Sequence, residues 1–325
     1  MDNIDSNEKL LAMPPLEVDT DQAFSRFGAR TQEVRAQEVR VARRGAAPFF
    51  MGRPAKWLAA AAGVVIVAMT LTLTGVADSI FQIFETKQFA AVTVTATDLQ
   101  TLGQLSAFGT LTWSSQPQPH PTTTLAQASA ETGLPEISVT VPSSITAAAQ
   151  YGAVPRTTAT FVFDATKARA SAAAIGRTAP PMPAKIDGST LVLTGGPAII
   201  VTYGADTSGT HTDMLFVGVA KAPTVASDGA GVSEIQAYLL AQPSVSPALA
   251  AQIRAMGDPS STLPIPIPLG QANATAVSVH GTNGLFIGDS TGLGSGVLWQ
   301  QGGLVYIVGG TLTQAQVIAV ANSLR

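Results

Sequence analysis

Imidazole is the side chain best suited to moving protons or holding metals near neutral pH, and this chain has three of them, His120, His211 and His280. His120 stands in the proline-rich stretch SSQPQPHP, His211 in the polar turn SGTHTD, and His280 at the end of an alternating run. Asp206 and Asp213 lie close to His211 as oxygen ligands, but no pair of histidines has the helical spacing of a zinc site. All three histidines read as turn and strand-end residues, and no metal is expected. The chain has no cysteine, which excludes disulfides, thiolate nucleophiles and thiolate metal sites. Ser290 sits in Gly288-Asp289-Ser290-Thr291-Gly292, but a nucleophile elbow needs glycines two positions to each side of the serine. Gly292, Gly294 and Gly296 form a glycine-rich run, yet a strand-like VLWQQ follows them where a phosphate cradle needs a helix N-terminus. Glu131 and Glu136 are separated by the break at Gly133–Pro135. These patterns predict neither enzyme activity nor a cofactor. Asn273-Ala274-Thr275 has the form of a glycosylation acceptor, relevant only in a eukaryotic secretory setting.

Binding is left to aromatic residues. Trp299 and Tyr306 flank Gly302-Gly303 on what reads as a hairpin; they are candidates for a ligand platform or, alternatively, for packing beneath the last helix. Phe24 and Phe27, with Ala23, form an apolar stripe on an otherwise charged segment and are candidates for a partner-docking face.

The element that positions everything else is the run from Trp57 to Ala77, WLAAAAGVVIVAMTLTLTGVA, which has no charged residue. About twenty apolar residues rising roughly 1.5 Å each match a hydrocarbon core of roughly 30 Å. Arg43, Arg44, Arg53 and Lys56 precede the run, and Asp78, Glu85 and Lys87 follow it, which predicts an N-terminus inside and a C-terminus outside. Gly75-Val76-Ala77 before Asp78 has the small residues of a signal-peptidase site. A secretory signal, however, has an apolar core of about 7 to 15 residues near the N-terminus, so the run reads as a retained anchor. The expected organisation is a cytoplasmic segment at 1–56, a transmembrane helix at 57–77, juxtamembrane strands and a proline-rich link at 78–121, and an extracytoplasmic domain at 122–325.

Charge divides along the same line. Residues 1–56 hold 9 of the 18 basic and 8 of the 21 acidic residues, and the formal net charge of −3 leaves no nucleic-acid footprint. Within the inner segment, Asp19, Thr20 and Asp21 offer capping oxygens to a helix that ends near Arg40, Arg43 and Arg44. That helix cannot bury its stripe alone; it either packs on a partner or serves as a solvated tether.

Beyond the run, period-two alternation predicts strands at Phe89–Thr95, before Trp113, at 137–141 and over Thr158–Phe163. TLVLTGGPAIIVTYG predicts a strand pair or one bent strand, and Met214–Val219 a further strand. Helices are predicted at Thr122–Glu131 up to Gly133, after Asp164, over Ser233–Gln242, and from Ser246-Pro247 to Met256. LPIPIP at Leu263–Pro268 predicts an edge or polyproline segment, because proline cannot donate to a sheet ladder. Strands follow at Ala276–His280 and Leu285–Ile287, then a hairpin about Gly302-Gly303 and a helix with a Thr313/Gln316 capping box. Without a regular βαβ rhythm, these elements predict an α+β fold, a mostly antiparallel sheet with helices on one face.

The C-terminal run Gly296–Tyr306, with Gly309-Gly310-Thr311-Leu312-Thr313 and Ala321-Asn322-Ser323-Leu324, resembles the end of an uncharacterised bacterial extracytoplasmic domain. In that family a hairpin bearing a Trp and a Tyr precedes a helix with an Ala-x-Ser-Leu signature. Such domains occur in single-span proteins related to transmembrane anti-sigma factors and are thought similar to lipoprotein carriers. Asp19–Phe27, DTDQAFSRF, is similar to the start of the cytoplasmic helix of ferric-citrate-type anti-sigma regulators. The zinc type of anti-sigma module needs cysteines and is excluded. The resemblance implies a regulatory or sensory protein of the bacterial cytoplasmic membrane that binds a signal outside and a sigma factor inside. Two other readings stay open: a tethered envelope module that holds a lipid or hydrophobic ligand between sheet and helices, and a structural component of an envelope complex.

Overall fold

The computed structural model describes residues 80–102, 105–204, 214–292 and 294–325. The apolar run at 57–77, residues 1–56 with Phe24 and Phe27, and His211 with Asp206 and Asp213 lie outside the described residues. In chain order the elements are β1 (Phe81–Glu85), β2 (Gln88–Val94), α1 (Ala96–Leu102), β3 (Gly109–Ser115), β4 (His120–Thr122), α2 (Leu125–Thr132), β5 (Gln150–Val154), β6 (Thr157–Phe163) and α3 (Ala165–Ala174). They continue as β7 (Thr190–Gly195), β8 (Ala198–Tyr203), β9 (Leu215–Lys221), β10 (Thr224–Ser227), α4 (Val232–Leu240) and α5 (Pro247–Ala255). The chain closes with β11 (Thr262–Pro268), β12 (Ala272–Val279), β13 (Thr282–Asp289), β14 (Ser295–Gln301), β15 (Leu304–Gly310) and α6 (Gln314–Ser323).

The fold is α+β and its sheets are mostly antiparallel. One sheet has eight strands in the order β12-β13-β14-β15-β9-β8-β5-β4, a second has five in the order β1-β10-β7-β6-β3, and β11 and β2 form a parallel pair. β1, β2 and β3 each pair with a strand from later in the chain, so residues 81–115 share their sheets with the region after 121, and no break in the sheets falls at 121/122.

Three strand-to-strand joints link the two large sheets. β5 runs into β6 through Pro155, β7 into β8 through Gly196-Pro197, and β9 into β10 through Pro223. A proline nitrogen cannot extend a ladder, so each long strand bends there and changes sheet. TLVLTGGPAIIVTYG is therefore a bent strand and not a hairpin: β7 pairs with β6 and β10, while β8 pairs with β5 and β9.

The main core lies on one face of the eight-stranded sheet. Ile199, Val201, Val217, Val219, Val297 and Val308 pack there with Val317 and Val320 of α6 and Ala128 of α2. Leu134, Ile137 and Ile145, from the irregular stretch between α2 and β5, belong to the same core. The strand expected at 137–141 does not form, although its alternation is real. Ile137 is buried and Ser138 exposed, but the backbone of Ser138 exchanges two hydrogen bonds with Arg325 at the chain end, 3.0 Å each, instead of entering a ladder. The five-stranded sheet has its own core of Phe161, Phe163, Leu191 and Leu193 under Ile235 and Tyr238 of α4. Phe161 and Phe163 meet edge to face at 4.9 Å.

Candidate functional site

The hairpin of β14 and β15 turns at Gly302-Gly303, with φ of 60° and 77°, the left-handed pair that a two-residue turn requires. The turn sets Trp299 directly opposite Tyr306, and their rings stack at 5.2 Å and 15°. Trp299 is fully buried and belongs to the main core, while Tyr306 is half-buried at its margin. Gly284 stands on the other side of Trp299 in the sheet, with no side chain to compete with the indole. The indole Nε1 is buried without a hydrogen-bond partner, and burial pushes the Tyr306 hydroxyl up from its ordinary range. The interval between this sheet face and the helices is filled by Leu134, Ile137, Ile145, Val317 and Val320. This geometry makes the aromatic pair a packing element beneath α6.

His280 sits at the tip of the β12–β13 hairpin with φ of 49°, and its exposed ring lies 6.4 Å from Trp299. Its backbone N–H donates to Asn322 Oδ1 at 3.0 Å, and its Nε2 lies 3.1 Å from the Ala321 carbonyl oxygen, which assigns the ring proton to Nε2. His280 thus latches a hairpin to the end of α6.

His120 pairs with a residue that its sequence surroundings do not suggest. β4 places it over α2, where Nε2 meets Glu131 Oε2 at 2.7 Å. Gln127, one turn earlier, donates to Glu131 Oε1 at 2.8 Å and accepts from Thr123. The hydrogen bond to Glu131 raises the His120 pKa against a smaller effect of burial. The same bond, with that from Gln127, holds the Glu131 carboxyl below its ordinary range. The only sequence signal for this pair is that Thr124 caps α2 just after β4 and Gly133 ends it, so the helix returns alongside the strand.

Ser290 lies in the turn of the β13–β14 hairpin, where Asp289 Oδ2 accepts from Thr291. Gly292, Gly294 and Gly296 serve the same connection and the start of β14. Asn273 and Thr275 are exposed on β12. Glu131 and Glu136 are parted by Gly133, whose φ of 68° ends α2. Among the described residues no three His, Asp or Glu side chains gather as a metal site, and no helix is long and apolar enough to cross a membrane. One cleft, lined by Phe108, Ala168, Ala172, Ile175 and Pro243, encloses about 30 Å³, far below the several hundred Å³ of a typical ligand pocket. In comparisons with known proteins, the chain matches no protein-family model, no curated protein and no solved structure.

Proposed function

We propose that this chain is a single-pass protein of the bacterial cytoplasmic membrane, N-terminus inside, which couples its extracytoplasmic α+β domain to a short cytoplasmic segment in the manner of anti-sigma regulators. The observation that carries this reading is the uncharged run from Trp57 to Ala77 behind a basic flank, with β1 starting at Phe81. Residues 78–80 separate the two and span at most about 10 Å. Phe81 is already in register with Ser227 of β10, so a ligand or signal that shifts the sheet would pull on the span with little slack. Inside, Phe24 and Phe27 supply the docking face for a sigma factor.

Protease protection in spheroplasts tests the topology: residues 80–325 should be digested from outside and residues 1–56 protected. Co-purification tests the partner. The wild-type chain should enrich a sigma factor, and Phe24→Ala/Phe27→Ala should lose it; equal recovery with both chains sinks the regulatory reading. A ligand held between the eight-stranded sheet and α2 and α6 has less support, because core side chains occupy that interval. A component of an envelope assembly remains the second reading, favoured by an open sheet edge at β12.

A further inference from the structure

A sheet edge with unpaired N–H and C=O groups is a template for another strand, and folded chains guard such edges. Among the described residues, five of the six sheet edges are guarded. β11 has proline at 264, 266 and 268, and proline fits a paired strand only with its nitrogen turned outward, so its outer edge has no donor at those positions. On β2, the Gln252 side chain accepts from Thr93 N–H at 2.8 Å and donates to the Thr93 carbonyl at 3.0 Å, taking the place of a strand. On β3, Lys167 Nζ reaches the Gly109 carbonyl at 3.3 Å and Thr110 Oγ1 at 2.7 Å, and the register shifts between Trp113 and Ser115. β1 is bulged between Gln82 and Phe84, and β4 is three residues long with Pro121 at its centre.

β12 has none of these devices. Its eight residues, ANATAVSV, include no charge and no proline, and they pair with β13 without a register shift. The two-residue turn at His280-Gly281, with φ of 49° and 75°, makes Val279 and Thr282 a hydrogen-bonded pair. By alternation Val277, Thr275 and Asn273 also face β13, and Ala272, Ala274, Ala276 and Ser278 turn their N–H and C=O groups outward. Ala276 and Ser278 are exposed, and the guarding resumes only at His280, whose N–H is taken by Asn322.

We propose that this edge pairs antiparallel with β12 of a second copy, about a two-fold axis through Thr275, so that two eight-stranded sheets continue as one. Self-pairing needs no complementary sequence from a partner: about Thr275 the facing pairs are Ala272 with Ser278, Asn273 with Val277 and Ala274 with Ala276 of the second copy, all small or medium-sized and uncharged. This is the register that uses all four outward residues. A two-fold axis brings the side chains near it close to their own copies, where any charge would repel itself, and β12 is neutral throughout. Thr275 meets Thr275 of the second copy, a favourable cross-strand pair, and the flanking alanines offer no obstruction. Leu269, 65% exposed just before β12, stands at the end that meets the second copy's His280-Gly281 turn.

The absence of cysteine makes the test direct on the full chain in detergent or nanodiscs. In the proposed register two copies of Thr275→Cys have Cα atoms about 4.5 Å apart, within disulfide reach, whereas two copies of Ser278→Cys are about 20 Å apart. Mild oxidation should give about ten times more covalent dimer from Thr275→Cys than from Ser278→Cys. Adding Ala276→Pro, which removes one outward donor, or Ala276→Lys, which brings like charges together at an exposed position, should abolish that cross-link and return the mass in light scattering to that of a monomer. Equal cross-linking at 275 and 278, or cross-linking at 275 that survives Ala276→Lys, overturns the proposal.

Discussion

His120 and Glu131 form an exposed pair whose strength depends on the protonation of both. His120 has a raised pKa, so its contribution to stability is complete below its ordinary value of 6.5 and lost as pH rises through the raised value. Glu131 has a lowered pKa, so its contribution is complete above 4.5 and lost as pH falls through the lowered value. The pair is therefore whole between pH 4.5 and 6.5. Thermal melts of His120→Gln should fall slightly below wild type near pH 5.5, and the difference should vanish as pH rises through the raised His120 pKa. Trp299 demands more. Trp299→Ala, which empties the centre of the main core, should cost about 3–5 kcal/mol in denaturant unfolding, and Trp299→Phe much less, since the indole N–H makes no hydrogen bond to lose. Gly310 is a third sensitive point, because a Cβ there would collide with the Met214 carbonyl where β15 pairs with β9. Gly310→Ala should destabilise by about 1–3 kcal/mol on the same measurement.

Local signals at element ends are strong in this chain. Thr313 Oγ1 accepts from Gln316 N–H while the Gln316 side chain returns to Thr313 N–H, the capping box visible in TQAQ. Thr313→Ala should cost about 1 kcal/mol and loosen α6 over Trp299, read as faster amide exchange at Val317 and Val320. Asp98 closes a similar box with Thr95, whose hydroxyl and N–H hold its carboxyl below the ordinary range. Caps at Asp164 and Ser246, the left-handed glycines 133 and 302–303, and the proline edge at 264–268 were equally legible, since each is set by two or three adjacent residues. The stretch at 137–141 shows the limit of such reading. Its alternation reports that one side is buried, but a strand also needs a neighbour, and here the nearest backbone is the last residue of the chain. Gln252 acts as a strand for β2 from 159 residues away, a role without local trace. Gln252→Ala should leave the fold in place and raise concentration-dependent light scattering by opening that edge.

At the scale of the whole molecule, the proposed anchor and the α+β domain make separate demands. Ile66→Arg, a charge at the middle of the apolar run, should release the chain from the membrane fraction at a cost of about 2.5–3.5 kcal/mol per span, without altering the melt of the α+β domain. The sequence by itself determined the positions of most strands and helices, the mixed α+β class, the absence of thiol chemistry and the presence of one uncharged run long enough to span a bilayer. Those properties follow from periodicity, caps, turns and composition, which act over a few residues. Only the tertiary structure decided which strands share a sheet, that β7 and β8 part company at Pro197, that Trp299 lies in the core, that His120 meets Glu131, and that β12 alone among the described sheet edges has no guard. The His120–Glu131 pair joins residues eleven apart, but the sheet partners, the core around Trp299 and the sheet edges depend on segments far apart in the chain, brought together because burying their apolar faces outweighs the entropy of closing long loops, and neither term can be read from neighbouring residues.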